Sequence, residues 1–213
     1  MNKLKTRIAE AGGFRHWFPN TFWYHYKWVV IVGIVAATVL IYTTVDAIRT
    51  PKYDAKIAVI ATRNIPQEQM EGVREIFADS LGDVDGDGKV NILFRTANLS
   101  DGEYAEQYRE VFYTSLGDED YVIYFLDEAT SALYASEQMG YFDPLSEFGI
   151  QSDPDNPYRR SMADLDVMKE YQADDLYLCL LDRGLESDDP EVRARSERSL
   201  AMVQALLDSN EEQ

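Results

Sequence analysis

The chain has 213 residues, with 38 acidic against 20 basic side chains and a net charge of −18 at pH 7. A field of that sign repels nucleic acid and anionic lipid headgroups and attracts cations or basic partners, so a nucleic-acid-binding role is excluded. The single cysteine, Cys179, excludes an internal disulfide and lies too far downstream for a lipoprotein anchor.

In chain order, residues 3–11 (KLKTRIAEA) lead to Gly12-Gly13 and fit either a short interfacial helix or a disordered tail. An aromatic stretch, FRHWFPNTFWYHYKW, follows and contains both histidines, His16 and His25. From Trp28 to Val45 the sequence WVVIVGIVAATVLIYTTV carries no charge, and extended to Ile48 it reaches the ~20 residues that a membrane-crossing helix needs. Residues 28–48 are therefore expected to span the lipid bilayer, with 1–27 as a cytoplasmic aromatic and basic head and 49–54 as a linker to a domain at 55–213.

Lys3, Lys5, Arg7, Arg15 and Lys27 before the span, against Arg49, Lys52 and Lys56 after it, favour an N-terminus inside the cell and a body outside. A cleaved signal peptide is the competing reading, since Val45-Asp46-Ala47 resembles a small-x-small cleavage site. Charge divides the same way: about +4 before residue 51 and about −22 after it. The acid either recruits cationic partners or keeps an exported domain soluble.

Beyond the linker, KIAVIAT (56–62), VNILFRT (90–96) and YVIYFLD (121–127) are short apolar runs rich in β-branched and aromatic residues, the pattern of buried strands. Helical spacing separates them. Asn64 and Pro66 open one helix to about Leu81, a second runs from about Gly102 to Leu116, and EATSALYAS (128–136) forms a third. The β-α-β-α-β-α order predicts an α/β fold: a three-layer domain with a mostly parallel sheet. Residues 137–175 are turn-rich, with a helix expected only over 161–171. DLYLCLLDR (175–183) is a further buried strand, and Pro190 starts a final helix.

The sharpest chemical motif is GDVDGDGKVN. Asp83, Asp85 and Asp87 occupy positions 1, 3 and 5 of a calcium loop, Gly88 supplies the turn, Lys89 a carbonyl at 7, and Asn91 stands at 9. It resembles the loops of dockerins and EF-hands. Phe94 stands where their bidentate acid belongs, so a carboxylate from elsewhere, such as Asp101 or Glu103, has to complete a structural calcium site. An ordinary acidic turn gives the same composition.

Residues 55–148, with the strand ending in Asp127, the helix after it and Gly140-Tyr141-Phe142-Asp143-Pro144-Leu145, resemble the first lobe of extracellular solute-binding proteins of the periplasmic type II class. The chain is too short for that family's full second lobe. The aromatic head with its span is similar to the juxtamembrane segment of single-pass proteins from Gram-positive bacteria, which implies a membrane location. Ligands of open α/β sheets lie beyond the strands' C-terminal ends, which places candidate ligand-binding residues at Asn64, Asp127, Glu128 and Thr130.

No histidine follows residue 25, so the body lacks the usual general base, and no phosphate-binding, dinucleotide or nucleophile-elbow motif occurs. The expected function is a non-catalytic, membrane-anchored extracytoplasmic binding or accessory module. The alternative is a structural subunit holding another envelope or membrane protein in a complex.

Overall fold

The computed structural model describes residues 5–6, 9–10, 14, 23–49, 52–84, 86, 88–100, 102–182, 184–185 and 187–210. The chain divides into two compact units, residues 1–51 and 52–213.

In the first unit, helix α1 (Tyr24–Arg49) runs 26 residues, about 39 Å at ~1.5 Å per residue. Its segment Tyr26–Thr44, 19 residues with a mean hydropathy of 1.9, carries a single charge, Lys27 at its start, and none of it is buried. Trp28, Val32, Leu40 and Ile41 are all exposed. The hydroxyls of Thr38, Thr43 and Thr44 donate to carbonyls one turn back, Ile34 O at 2.9 Å and Leu40 O at 3.1 and 2.8 Å, which satisfies them without water. By length and composition α1 is able to cross a bilayer, a property it shares with signal sequences near an N-terminus. Most of the predicted basic head lies outside the described residues.

The second unit is an α/β domain. Strand β1 (Ala55–Ala61) leads through a 3-10 turn (Gln67–Met70) into α2 (Glu71–Leu81), then to β2 (Ile92–Asn98), α3 (Ala105–Gly117), β3 (Tyr121–Asp127) and α4 (Glu128–Tyr134). After a second 3-10 turn (Leu145–Phe148) come β4 (Arg160–Ser161), α5 (Asp166–Glu170), β5 (Leu176–Leu180) and α6 (Pro190–Asp208). The sheet order is β2-β1-β3-β5-β4.

The unbroken apolar runs of the central strands follow from burial on both faces. Ile57 and Val59 of β1, with Ile123 and Phe125 of β3, pack against Val73 and Phe77 of α2, Met168 of α5 and Val203 and Leu206 of α6. The alternate residues Ala58, Ile60, Tyr124 and Leu126 pack against Phe112 and Leu116 of α3 and Tyr134 of α4. Helices on both faces make three layers.

The sheet is mixed, which corrects the expectation of a mostly parallel one. β1 runs parallel to both β2 and β3, whereas β5 is antiparallel to β3 and β4 antiparallel to β5. The cause is the connection after β3: α4, β4 and α5 return the chain to the end of the sheet where β3 finishes, so β5 starts opposite it, with Leu176 beside Asp127. The helix expected over 161–171 is only the five residues of α5, preceded by the two-residue β4. Asn64 does not cap α2. The helix is entered through the 3-10 turn with Pro66 at its N-cap position and no side-chain cap.

Candidate functional site

The first three strands wind the chain both ways, α2 crossing one face to β2 and α3 returning over the other to β3. The strand order therefore reverses between the C-terminal ends of β1 and β3, where open α/β sheets leave a crevice. Thr62 and Asp127 stand at those two ends. The Asp127 carboxylate accepts the Thr62 N–H at 2.6 Å and the Thr62 hydroxyl at 2.5 Å on Oδ2, and the Thr130 N–H at 2.9 Å on Oδ1. The last bond caps α4. Burial opposes the charge on Asp127, yet the hydrogen bonds from Thr130 and Thr62 outweigh it and hold the carboxyl below its ordinary pKa. Asp127 thus clasps β1 to β3 as an ionised, internally bonded group.

The same edge is tied across to β5. Arg63 Nη2 lies 2.6 Å from Asp175 Oδ1 and its Nε 3.0 Å from Oδ2, a bidentate pair, while its Nη1 donates to Gln69 Oε1 at 3.0 Å. Gln69 in turn donates to the carbonyl of Gln172 at 3.0 Å.

Beside this seam lies a buried cation, Arg159. Arg159, 7% exposed, donates to Ser131 Oγ at 2.8 Å and to Glu128 Oε1 at 3.3 Å. Its Nε is 3.5 Å from Asp153 Oδ2. Its guanidinium carbon sits 4.3 Å from the centre of the Tyr177 ring, a cation–π contact. The Tyr177 hydroxyl donates to Glu128; that bond first, and burial second, push its pKa up to about 12. Arg159 thereby joins α4, the 153–159 loop and β5 through one side chain.

The structure brings three of the four predicted ligand-binding residues together and turns them differently. Asp127 and Thr130 are buried in their own bonds, Glu128 faces solvent as the shared acceptor of Arg159 and Tyr177, and Asn64 is exposed on the loop after β1. Sequence reasoning missed Thr62, Arg63, Arg159, Asp175 and Tyr177, whose partners lie far off along the chain. One available signal was the pair Arg159-Arg160, which follows the acids of SDPDNP after Tyr158.

Of the predicted calcium ligands, Asp85 and Asp87 lie outside the described residues, as does Asp101. Asp83 is described: its two oxygens accept the N–H groups of Gly86 at 2.7 Å and Gly88 at 2.8 Å. Both glycines have positive φ, 76° and 84°, which lets the loop curl over the carboxylate. Asp54 closes the loop at its base by accepting the N–H of Val84 at 3.2 Å and of Asn91 at 2.8 Å. Lys89 is exposed. Among the described residues no group of three or more acids, histidines or cysteines is gathered as for a metal ion.

No protein-family model matches the chain, and comparison with curated proteins and with solved structures gives no match.

Proposed function

We propose that the chain is a single-pass membrane protein, anchored by α1 with its N-terminus in the cytoplasm, whose acidic domain acts outside the cell as a non-catalytic binding or accessory module. The observation that carries this reading is α1, with a 19-residue segment of mean hydropathy 1.9, none of it buried, and threonine hydroxyls bonded within the helix. Each square ångström of that surface costs about 25 cal/mol in water, and a bilayer removes the cost. The excess of Lys and Arg before the span supports the orientation.

The non-catalytic part of the reading is supported by the groups in the domain best suited to chemistry. Asp127 has three donors on its carboxylate. Cys179 is fully buried, and that burial holds its thiol well above its ordinary pKa. The resemblance of residues 55–148 to a solute-binding lobe supports binding as the domain's role.

Protease added to intact protoplasts of an expressing Gram-positive host tests the topology. We expect digestion of everything beyond about residue 50, leaving a membrane-held fragment of α1 and the head. Full protection of the domain sinks the orientation. A mature N-terminus at Ile48 shows a cleaved signal peptide and sinks the anchor.

A further inference from the structure

On the face of the domain formed by α2, α5 and α6, these helices enclose an open cleft of about 860 Å³. That is within the ~300–1,000 Å³ typical of binding clefts. Among the described residues its walls carry five carboxylates, Glu75 and Asp79 of α2, Asp166 and Glu170 of α5, and Asp208 of α6, and no lysine, arginine or histidine lines it. Between them lie the half-buried apolar side chains of Ile76, Val167 and Ala205. Glu75, Ile76 and Asp79 fall on one stripe of α2, so acid and hydrocarbon face the same groove.

Two of the acids are engaged at its margin, Asp166 by Lys169 at 2.9 Å and Asp208 by Gln204 at 2.8 Å. Glu75, Asp79 and Glu170 form no ion pair among the described residues. The field of Glu75 and Glu170 registers on Tyr171, whose hydroxyl pKa is raised by Glu75 first, then by burial and Glu170. The end of the cleft is fixed by Gly72: a Cβ there would lie 2.5 Å from Val167 Cγ2 and 2.6 Å from Tyr171 Cε2, so only glycine lets α5 sit this close to α2.

We propose that this cleft docks a basic amphipathic peptide segment of a partner protein. Lys or Arg side chains meet Glu75, Asp79 and Glu170, and an apolar side chain rests on Ile76, Val167 and Ala205. Charge complementarity selects the occupant. A second copy of this chain, at −18, is repelled. A small polyamine would leave the apolar floor in water. The inference goes beyond the anchored-module reading and does not depend on which side of the membrane the domain lies.

The test uses the full chain in nanodiscs of uncharged lipid, titrated into a fluorescently labelled Lys-Leu-Lys-Lys-Leu-Lys peptide and read by anisotropy against empty nanodiscs. Saturable binding is expected, weakened about tenfold by Glu75→Gln with Glu170→Gln and by about twofold or less by Glu110→Gln with Glu137→Gln, an equal charge change on exposed sites elsewhere. A peptide with Ser in place of both Leu should also bind about tenfold more weakly, from lost apolar contact. No saturable binding overturns the proposal, as does equal loss in the two double variants. Equal binding of the Ser peptide, or displacement by spermine at the peptide's own concentration, overturns the peptide as occupant. Failure in any of these arms leaves the protease result untouched, so the two readings fail separately.

Discussion

The apolar stretch of α1 and that of β3 are drawn from the same residues, yet their surroundings are opposite. Phe125 and Leu126 of β3 are wholly buried, whereas Val32 and Leu40 of α1 are 64% and 66% exposed. Length decides the difference: seven residues in β3 can be covered on both faces by a domain's own helices, and 19 in α1 have no such cover. The first kind of run stabilises a fold, and the second is long and apolar enough to cross a bilayer.

Several substitutions would break or sharpen that contrast. The largest effect is expected in β3, where Phe125→Ala removes a buried ring stacked 6.5 Å from Phe77 and should cost ~3–5 kcal/mol of unfolding free energy. Val35→Ala in α1 should leave the domain's melting unchanged, and a comparable loss there would show that α1 packs into a fold. Next in size, Val35→Arg places a charge at mid-span and should cost ~2.5–3.5 kcal/mol of insertion, read as protein shifted from the membrane to the soluble fraction. Undiminished membrane retention would argue against a spanning helix.

A smaller effect belongs to the seam between β1 and β3. Asp127→Ala removes a cap and a strand clasp and should destabilise the domain by ~1–2 kcal/mol at neutral pH. Because the folded carboxyl titrates below its unfolded value of ~3.9, this contribution is complete above that pH and disappears as pH falls through the lower, folded pKa. Wild-type and variant denaturation curves should therefore converge in acid, and a gap independent of pH would show that the carboxylate's charge is not what clasps the strands.

The smallest effect concerns the 83–91 loop. If it binds Ca²⁺ with the ~10⁻⁴ to 10⁻³ M affinity of extracellular modules, millimolar calcium should stabilise the domain by about 1 kcal/mol over chelator, and Asp85→Ala should remove the difference. An unchanged melting temperature makes the loop an acidic turn held by Asp83 and Asp54.

The three-layer architecture was legible in the sequence because buried strands need uninterrupted apolar runs, and KIAVIAT and YVIYFLD supply them within a residue of β1 and β3. The direction of β5 was not, since LYLCL has the same pattern read either way and its sense is set by the path through α4 and α5. The two residues of β4 are too few to show any period. At the candidate edge the sequence pointed to Asp127 and Thr130 as ligand-binding residues, and the structure shows them bonded to each other as the cap of α4. Nothing in the sequence signalled that Thr62, 65 residues earlier, would take the same carboxylate, or that Arg159 would be buried between Glu128 and Tyr177. Long-range polar pairing leaves no periodic trace for a single sequence to show.

The two outer strands of the sheet are closed in different ways. On one side β4 covers β5 only at Tyr177 and Leu178, and the loops complete the cover, Asp143 donating to Leu180 O at 2.9 Å and Met162 to Leu176 O at 3.0 Å. On the other side β2 pairs only with β1, and Arg74 caps its start by donating to Ile92 O at 2.9 Å while lying over the Phe94 ring. A midstrand cation, Arg95, adds a charge that a docking strand would have to desolvate. At high local concentration, copies of this domain are thereby guarded against stitching their sheets into one another, and encounters between them are left to helix faces and side chains.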